Sequence, residues 1–206
     1  MIKIENIDVY GWRSAIRGMR NPMNSWQKSD TEWVDDEHDI ILGENDLQLM
    51  QRLAKAGTDH RKYLRMITVY LDITAPLYFW KEMDTYKVGT VRNSCSTMHK
   101  IADKEFTVED FSCERLSFAS KKNLVSTIEL LNYYRDGYNK NKSIDDWWNM
   151  IQLLPNSYNQ KATVMLNYEV LANIHRSRKN HKLNEWREFC KWVETLPYFC
   201  EICGDK

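Results

Sequence analysis

Residues 64–84 read Leu64-Arg65-Met66-Ile67-Thr68-Val69-Tyr70-Leu71-Asp72-Ile73-Thr74-Ala75-Pro76-Leu77-Tyr78-Phe79-Trp80-Lys81-Glu82-Met83-Asp84, and this stretch decides the fold. Ile67, Val69, Leu71 and Ile73 alternate with Met66, Thr68, Tyr70 and Asp72. A period of two, carried largely by β-formers, predicts a strand over residues 64–74 with one buried face. Pro76 has no amide hydrogen to lose and a φ already set for a first helical turn. A short helix over residues 77–84 is therefore expected to follow.

The chain then turns polar. Residues 85–100 run Thr85-Tyr86-Lys87-Val88-Gly89-Thr90-Val91-Arg92-Asn93-Ser94-Cys95-Ser96-Thr97-Met98-His99-Lys100. So many hydroxyl and amide groups after a rigid strand and helix suit a loop that contacts a ligand. A polar surface hairpin fits the same residues equally well. Likewise Tyr78, Phe79, Trp80 and Tyr86 offer rings that could stack on a flat ligand, and a buried helix face explains Tyr78 to Trp80 as well.

Working outward, Ile2 and Ile4 predict an opening strand, with Ile7 and Val9 following. Residues 12–20 predict a short helix that ends before Pro22. Residues 26–42 are polar and read as an exposed loop, with the acidic run Asp35-Asp36-Glu37-His38-Asp39 inside it. Leu49, Leu53 and Ala56 lie on one helical stripe closed by Gly57, which predicts a helix over 45–56. Thr107-x-x-Asp110 and Ser143-x-x-Asp146 have capping-box spacing. Leu124, Ile128 and Leu131 predict a long helix over 121–135, and another is expected over 144–154. Residues 161–176 mix strand and helix signals. An amphipathic helix over 183–195 carries Trp186, Phe189, Trp192 and Val193. Strands followed by several helices, without linkers or repeats, predict one α+β domain over residues 1–206.

Composition narrows the function classes. Lys plus Arg and Asp plus Glu number 29 each, so the basic excess of a nucleic-acid coat is absent and no nucleic-acid polymer is expected as partner. No apolar run reaches the ~20 residues of a membrane span. Met1-Ile2-Lys3-Ile4-Glu5 does not read as a signal peptide. Five cysteines, an odd number, then suggest reduced thiols in the cytoplasm. There is no G-x-G-x-x-G, Walker-type loop, G-x-S-x-G or H-E-x-x-H. Cys200-x-x-Cys203 is half of a zinc site that Cys190, His181 or His175 could complete, but the spacing fits no named finger. The acidic run 35–39 offers metal ligands too, but a solvated loop is the simpler reading. No metal is assigned.

Two ordered motifs carry a resemblance to the flavin-dependent thymidylate synthases. That family has a strand, often an Ala-Pro pair, a short helix, and then R-H-R-x-x-S-x-N-E-x-S-x-R-Y. Counted from Ala75-Pro76, the triplet falls on Thr85, Tyr86 and Lys87, and the first Ser on Thr90. With one inserted residue, the Asn falls on Asn93, the Glu on Ser94, the second Ser on Ser96, the Arg on Met98 and the Tyr on His99. Lys87, Thr90, Asn93 and Ser96 keep the residue type or one close to it. The family's late H-A-Q-x-E-I-R matches His181-Lys182-Leu183-Asn184-Glu185-Trp186-Arg187 at His, Glu and Arg. Arg176 and Arg178 flank the preceding arginine, and Asn173 lies near an asparagine that faces the flavin. Leu154-Pro155 and Ala15-Ile16-Arg17 also resemble family segments, so the likeness spans most of the chain in order.

The resemblance implies an antiparallel sheet packed with long helices, FAD as cofactor and a dUMP-like nucleotide as ligand. It also implies sites between subunits of a homotetramer. Cofactor contacts would fall to Tyr86, Lys87, Thr90, Asn173 and His181. Substrate contacts would fall to Asn93, Ser94, Ser96, Arg176 and Arg178; no catalytic residue is assigned. The departures count against the family's usual chemistry. An arginine grips phosphate with two charge-assisted bonds, each about 1.5–3 kcal/mol, and Thr85 and Met98 offer neither. Lys87, Lys100 or Arg92 would have to supply charge. Two readings follow: a divergent enzyme on a pyrimidine nucleotide, or an inactive multimer, such as a viral one, that holds a nucleotide or nucleotide signal. A third is an interaction protein, for which aromatic richness is the only support.

Overall fold

The computed structural model describes residues 2–34 and 40–204. The acidic run 35–39 therefore lies outside the described residues. The fold is α+β with an antiparallel sheet, as expected from the sequence. The four-stranded sheet has the order β1-β4-β6-β5, and a two-stranded ribbon pairs β2 with β3 antiparallel, Glu32 opposite Ile41.

The element order is β1 (Lys3–Tyr10), α1 (Trp12–Arg20), β2 (Glu32–Trp33), β3 (Ile40–Ile41), α2 (Glu44–Lys55), β4 (Thr68–Pro76), α3 (Leu77–Met83) and β5 (Val91–Ser94). Then follow α4 (Phe118–Asn141), α5 (Ile144–Leu153), β6 (Asn159–Asn167), α6 (Tyr168–Arg178), α7 (Asn184–Val193) and α8 (Phe199–Cys203). The alternation around Ile67 does produce the strand β4, with Val69, Leu71, Ile73 and Ala75 buried. The strand starts later than expected, because residues 61–65 close into a 3-10 turn that buries Tyr63 and Leu64. The mixed signal over 161–176 resolves into both elements, β6 and then α6, with Asn167 capping the helix through its side-chain oxygen and the amide of Val170, 3.0 Å away.

The chain divides into two compact units. The first comprises residues 1–3, 73–85 and 93–162. Its core joins Leu124, Ile128 and Leu131 of α4 to Met150 of α5, Phe106 and Phe111. Both expected caps form: Ser143 accepts from the amide of Asp146, and Thr107 and Asp110 make a reciprocal box. The helix α4 extends beyond the expected 121–135 at both ends, starting on the cap Ser117 and stopping at Lys142, whose φ is 55°.

The second unit comprises residues 4–72, 86–92 and 163–206. Trp12, Tyr168, Trp186, Phe189 and Phe199 fill its core with large rings, with Ile16 packed beside them. The rings of Trp12 and Tyr168 meet edge-on at 5.5 Å, a favoured aromatic geometry. One polar knot is buried here. Asp46 on α2 accepts from Arg20 Nε at 2.7 Å, from the hydroxyls of Ser29 and Thr31 at 2.7 and 2.8 Å, and from the amides of Asp30 and Thr31. The other two arms of Arg20 donate to the carbonyls of Ser25 and Lys28. The residues expected to form a plain exposed loop over 26–42 are thus partly ordered by a buried charge pair. Among the described residues no helix is long and apolar enough to cross a membrane.

Candidate functional site

The segment 86–92 crosses the second unit as a turn. The amide of Thr90 donates to the carbonyl of Lys87 at 3.3 Å, and Gly89 takes a φ of 80°. Only glycine enters that region without strain. A Cβ on Gly89 would also stand 2.8 Å from Asn167 Nδ2, so the turn lies directly against the start of α6. Asn167 Nδ2 donates to the Gly89 carbonyl at 3.4 Å. Thr90 Oγ1 is buried within this turn and has no hydrogen-bond partner among the described residues. Lys87 is exposed beside it.

Next to the turn, the ends of α6 and α7 build a cluster of rings and charge. Arg178 Nε donates to the Tyr86 hydroxyl at 2.9 Å. Its guanidinium carbon lies 5.7 Å from the Tyr86 ring centre and 5.2 Å from that of Trp186, within cation–π range. The Tyr86 and Trp186 rings are 5.9 Å apart and tilted by 58°. His181 meets Trp186 edge-on at 6.5 Å. His181 Nδ1 accepts from the amide of Leu183 at 3.2 Å, which places the proton of a neutral ring on Nε2. Arg187 Nη1 donates to the carbonyls of His181 and Lys182 at 2.6 and 3.2 Å, and Nη2 donates to Asn184 Oδ1. Arg187 therefore latches the 181–184 bend onto α7 and orients His181.

The expected residues divide into groups. Tyr86, Arg178 and His181 come together around Trp186. Lys87 and Thr90 share the adjoining turn. Asn173 and Arg176 lie three residues apart on the exposed side of α6. At 100° per residue, Arg176 and Arg178 stand about 200° apart around the helix axis, so they present to different sides. Asn93, Ser94 and Ser96 belong to the first unit. Asn93 and Ser94 are consecutive on β5 and so point to opposite faces. Ser96 Oγ accepts from the amides of Met98 and His99 at 3.2 and 3.1 Å, making a local turn. Met98 contributes its carbonyl to Trp147 Nε1 at 3.2 Å, and Lys100 pairs with Asp103 on the surface.

Trp186, Asn167 and Gly89 shape this cluster and turn, yet residue-type reasoning passes over them; Arg187 is already matched in the late motif. Trp186 reads as a core residue on an amphipathic stripe, and it is fully buried. Gly89 carried the one legible signal, an isolated glycine in a polar stretch.

Among the described residues no three His, Cys, Asp or Glu side chains converge on a metal site. Burial, with Glu169 nearby, pushes the Cys203 thiol up to about 12, and burial with Glu194 pushes Cys190 to about 11. Such thiols stay protonated near neutrality, and the thiolate is the form that binds metal or attacks.

No family model matches the sequence, and no curated protein matches it. Solved structures do. The chain is similar to the crystal structure of thymidylate synthase X (ThyX) from Helicobacter pylori with FAD and dUMP, with a TM-score of 0.72 and 14% identity over 98% of this chain and 97% of that one. It is also similar to a flavin-dependent thymidylate synthase ThyX from Helicobacter pylori complexed with FAD and dUMP, with a TM-score of 0.69 and 15% identity at the same coverage. The chain thus has, from end to end, the α+β fold of the flavin-dependent thymidylate synthases.

Proposed function

We propose that this chain binds a pyrimidine nucleotide, dUMP or a close analogue, together with FAD, in a homo-oligomer whose sites are completed between copies. The observation that carries the reading is the Tyr86–Arg178–Trp186–His181 cluster and its adjoining turn, set in a fold shared over 98% of the chain with proteins that hold FAD and dUMP. The residues fit a flavin nucleotide in chemical type. Thr90 offers a buried hydroxyl without a partner among the described residues, Lys87 an exposed point charge for a phosphate, and Asn173 an exposed amide, with the His181 ring held beside Trp186. FAD, when bound, would supply the redox chemistry.

The spread of candidate residues favours completion by a second copy. Arg176 and Arg178 present to different sides of α6, so a single small ligand in one subunit would not engage both. A tetramer, as the resemblance implies, would give each its own partner surface.

The test is calorimetric titration of stripped protein with dUMP and with uridine. We expect dUMP to bind about tenfold or more tightly than uridine, the scale of one charge-assisted phosphate contact. No heat and no thermal shift with any pyrimidine nucleotide would overturn the proposal. A second reading, retention without turnover, rests on Thr85 and Met98, which carry no charge where the family's motif has arginine. It predicts bound nucleotide unchanged after incubation with reduced FAD and a folate one-carbon donor. Recovery of a methylated product would remove it.

A further inference from the structure

We propose that the outer face of α4 is a contact between two copies of this chain, which pair their α4 helices antiparallel. The helix is apolar on two sides. Leu124, Ile128 and Leu131 face the core of the first unit. Phe118, Val125 and Tyr133 face away from it and are 88%, 43% and 71% exposed. At 100° per residue, these three fall within an arc of about 80°, and the exposed Lys122 and Glu129 fall inside the same arc. The solvated side of a core-packed helix is ordinarily polar. Two large rings and a valine along it instead make an apolar strip about 23 Å long. None of these five residues belongs to the nucleotide site proposed above.

The order of residues along the strip points to what covers it. Phe118 and Tyr133 lie at its ends, with Lys122 and Glu129 between them. Both pairs are centred on the same point of the helix, between Val125 and Ser126. Turning a second copy end over end about that point brings ring to ring and cation to carboxylate. Phe118 of each copy meets Tyr133 of the other, and Lys122 of each meets Glu129 of the other. A two-fold contact demands this self-complementarity, because residue i must suit residue j and j must suit i. Parallel pairing in register would set lysine against lysine and glutamate against glutamate, which is repulsive. Four rings at ~150–250 Å² each bury on the order of 600–1,000 Å². With Val125 and the Lys122 stems, the contact reaches the low end of a specific interface, about 1,200 Å². That size suits a reversible association.

The first test places a cysteine at the centre of the strip in the full chain. Ser126→Cys should form a disulfide between copies when oxidised glutathione takes up the two hydrogens, and peptide mapping should find position 126 joined to position 126. Val125→Cys serves as a second variant. Asn123→Cys, exposed but about 120° around the helix from the middle of the strip, should not link. The second test reverses charge. Lys122→Glu or Glu129→Lys alone sets like charges opposite each other twice per pair of copies, and should weaken self-association by about tenfold in sedimentation. Mixing the two single variants, or combining both changes in one chain, should restore it; a general loss of stability would not recover in this way. Absence of the link in both central variants, equal linking of Asn123→Cys, or charge variants that neither weaken nor recover would each overturn the proposal. The dUMP titration plays no part in this readout: linking in protein that binds no dUMP would support the α4 contact and remove only the nucleotide reading.

Discussion

The knot around Asp46 and the turn around Gly89 are built alike and finished differently. Each lays a loop on the first turn of a helix in the second unit. At the knot, Asp30 accepts from the amides of Asn45 and Asp46 at 3.0 and 3.1 Å to cap α2, and Asp46 itself gathers five donors. At the turn, Asn167 caps α6 and holds Gly89, but Thr90 Oγ1 is buried with no hydrogen-bond partner among the described residues. A buried polar group without a partner costs about 1–3 kcal/mol. The contrast marks the knot as a structural fastening and the turn as a place where a ligand could complete what the fold leaves open.

The comparison breaks most visibly at Asp46. Asp46→Ala should strip Arg20 of its buried partner and cost about 3–5 kcal/mol in urea denaturation. A loss under 1 kcal/mol would show that the knot does not fasten the unit. Its acid dependence has a defined sign. Burial works to raise the Asp46 carboxyl, but hydrogen bonds from Ser29, Thr31 and Arg20 outweigh it and hold it below its ordinary value of 3.8. Its contribution is therefore present above that value and disappears as the pH falls through the lower folded-state value. Stability measured from neutral pH downward should fall more steeply in the parent protein than in Asp46→Asn.

At the turn, Gly89→Ala should cost about 1–2 kcal/mol for the left-handed φ, plus the clash with Asn167. It should also lower nucleotide affinity. Unchanged affinity in a folded variant would detach the turn from the site. Arg178→Lys removes a stacked planar guanidinium and should lose about 0.5–2 kcal/mol, read from thermal unfolding with and without dUMP. The smallest stability effect belongs to Thr90→Val. Removing a hydroxyl that costs stability should raise unfolding stability by up to about 1 kcal/mol, while FAD affinity drops a few-fold. A variant that loses more than 1 kcal/mol of stability without ligand would show that Thr90 has a structural partner after all.

The sequence revealed the periodic parts of this fold. Alternation through Val69, Leu71 and Ile73 located β4, and the stripe through Leu124, Ile128 and Leu131 located α4. Where polar residues form structure by long-range pairing, local pattern says little. Val91-Arg92-Asn93-Ser94 has no alternation of apolar and polar residues, yet it forms β5 at the edge of the sheet. The short helix α8 after Tyr198, and the Arg20–Asp46 pair 26 residues apart, leave no mark on a local window either. The site was legible in part for the same reason. Motif order pointed to Tyr86, Arg178 and His181, which do meet. The residue that brings them together, Trp186, shows in sequence only as one more apolar residue on a helix stripe.

One measurement tests the central reading most directly: the absorption spectrum of the freshly purified protein, with mass spectrometry of whatever co-purifies. The account predicts flavin bands and a released pyrimidine nucleotide, with FAD taken up again on reconstitution of stripped protein. A colourless preparation that releases no nucleotide and takes up no FAD would contradict it, leaving the shared fold but not the shared ligands.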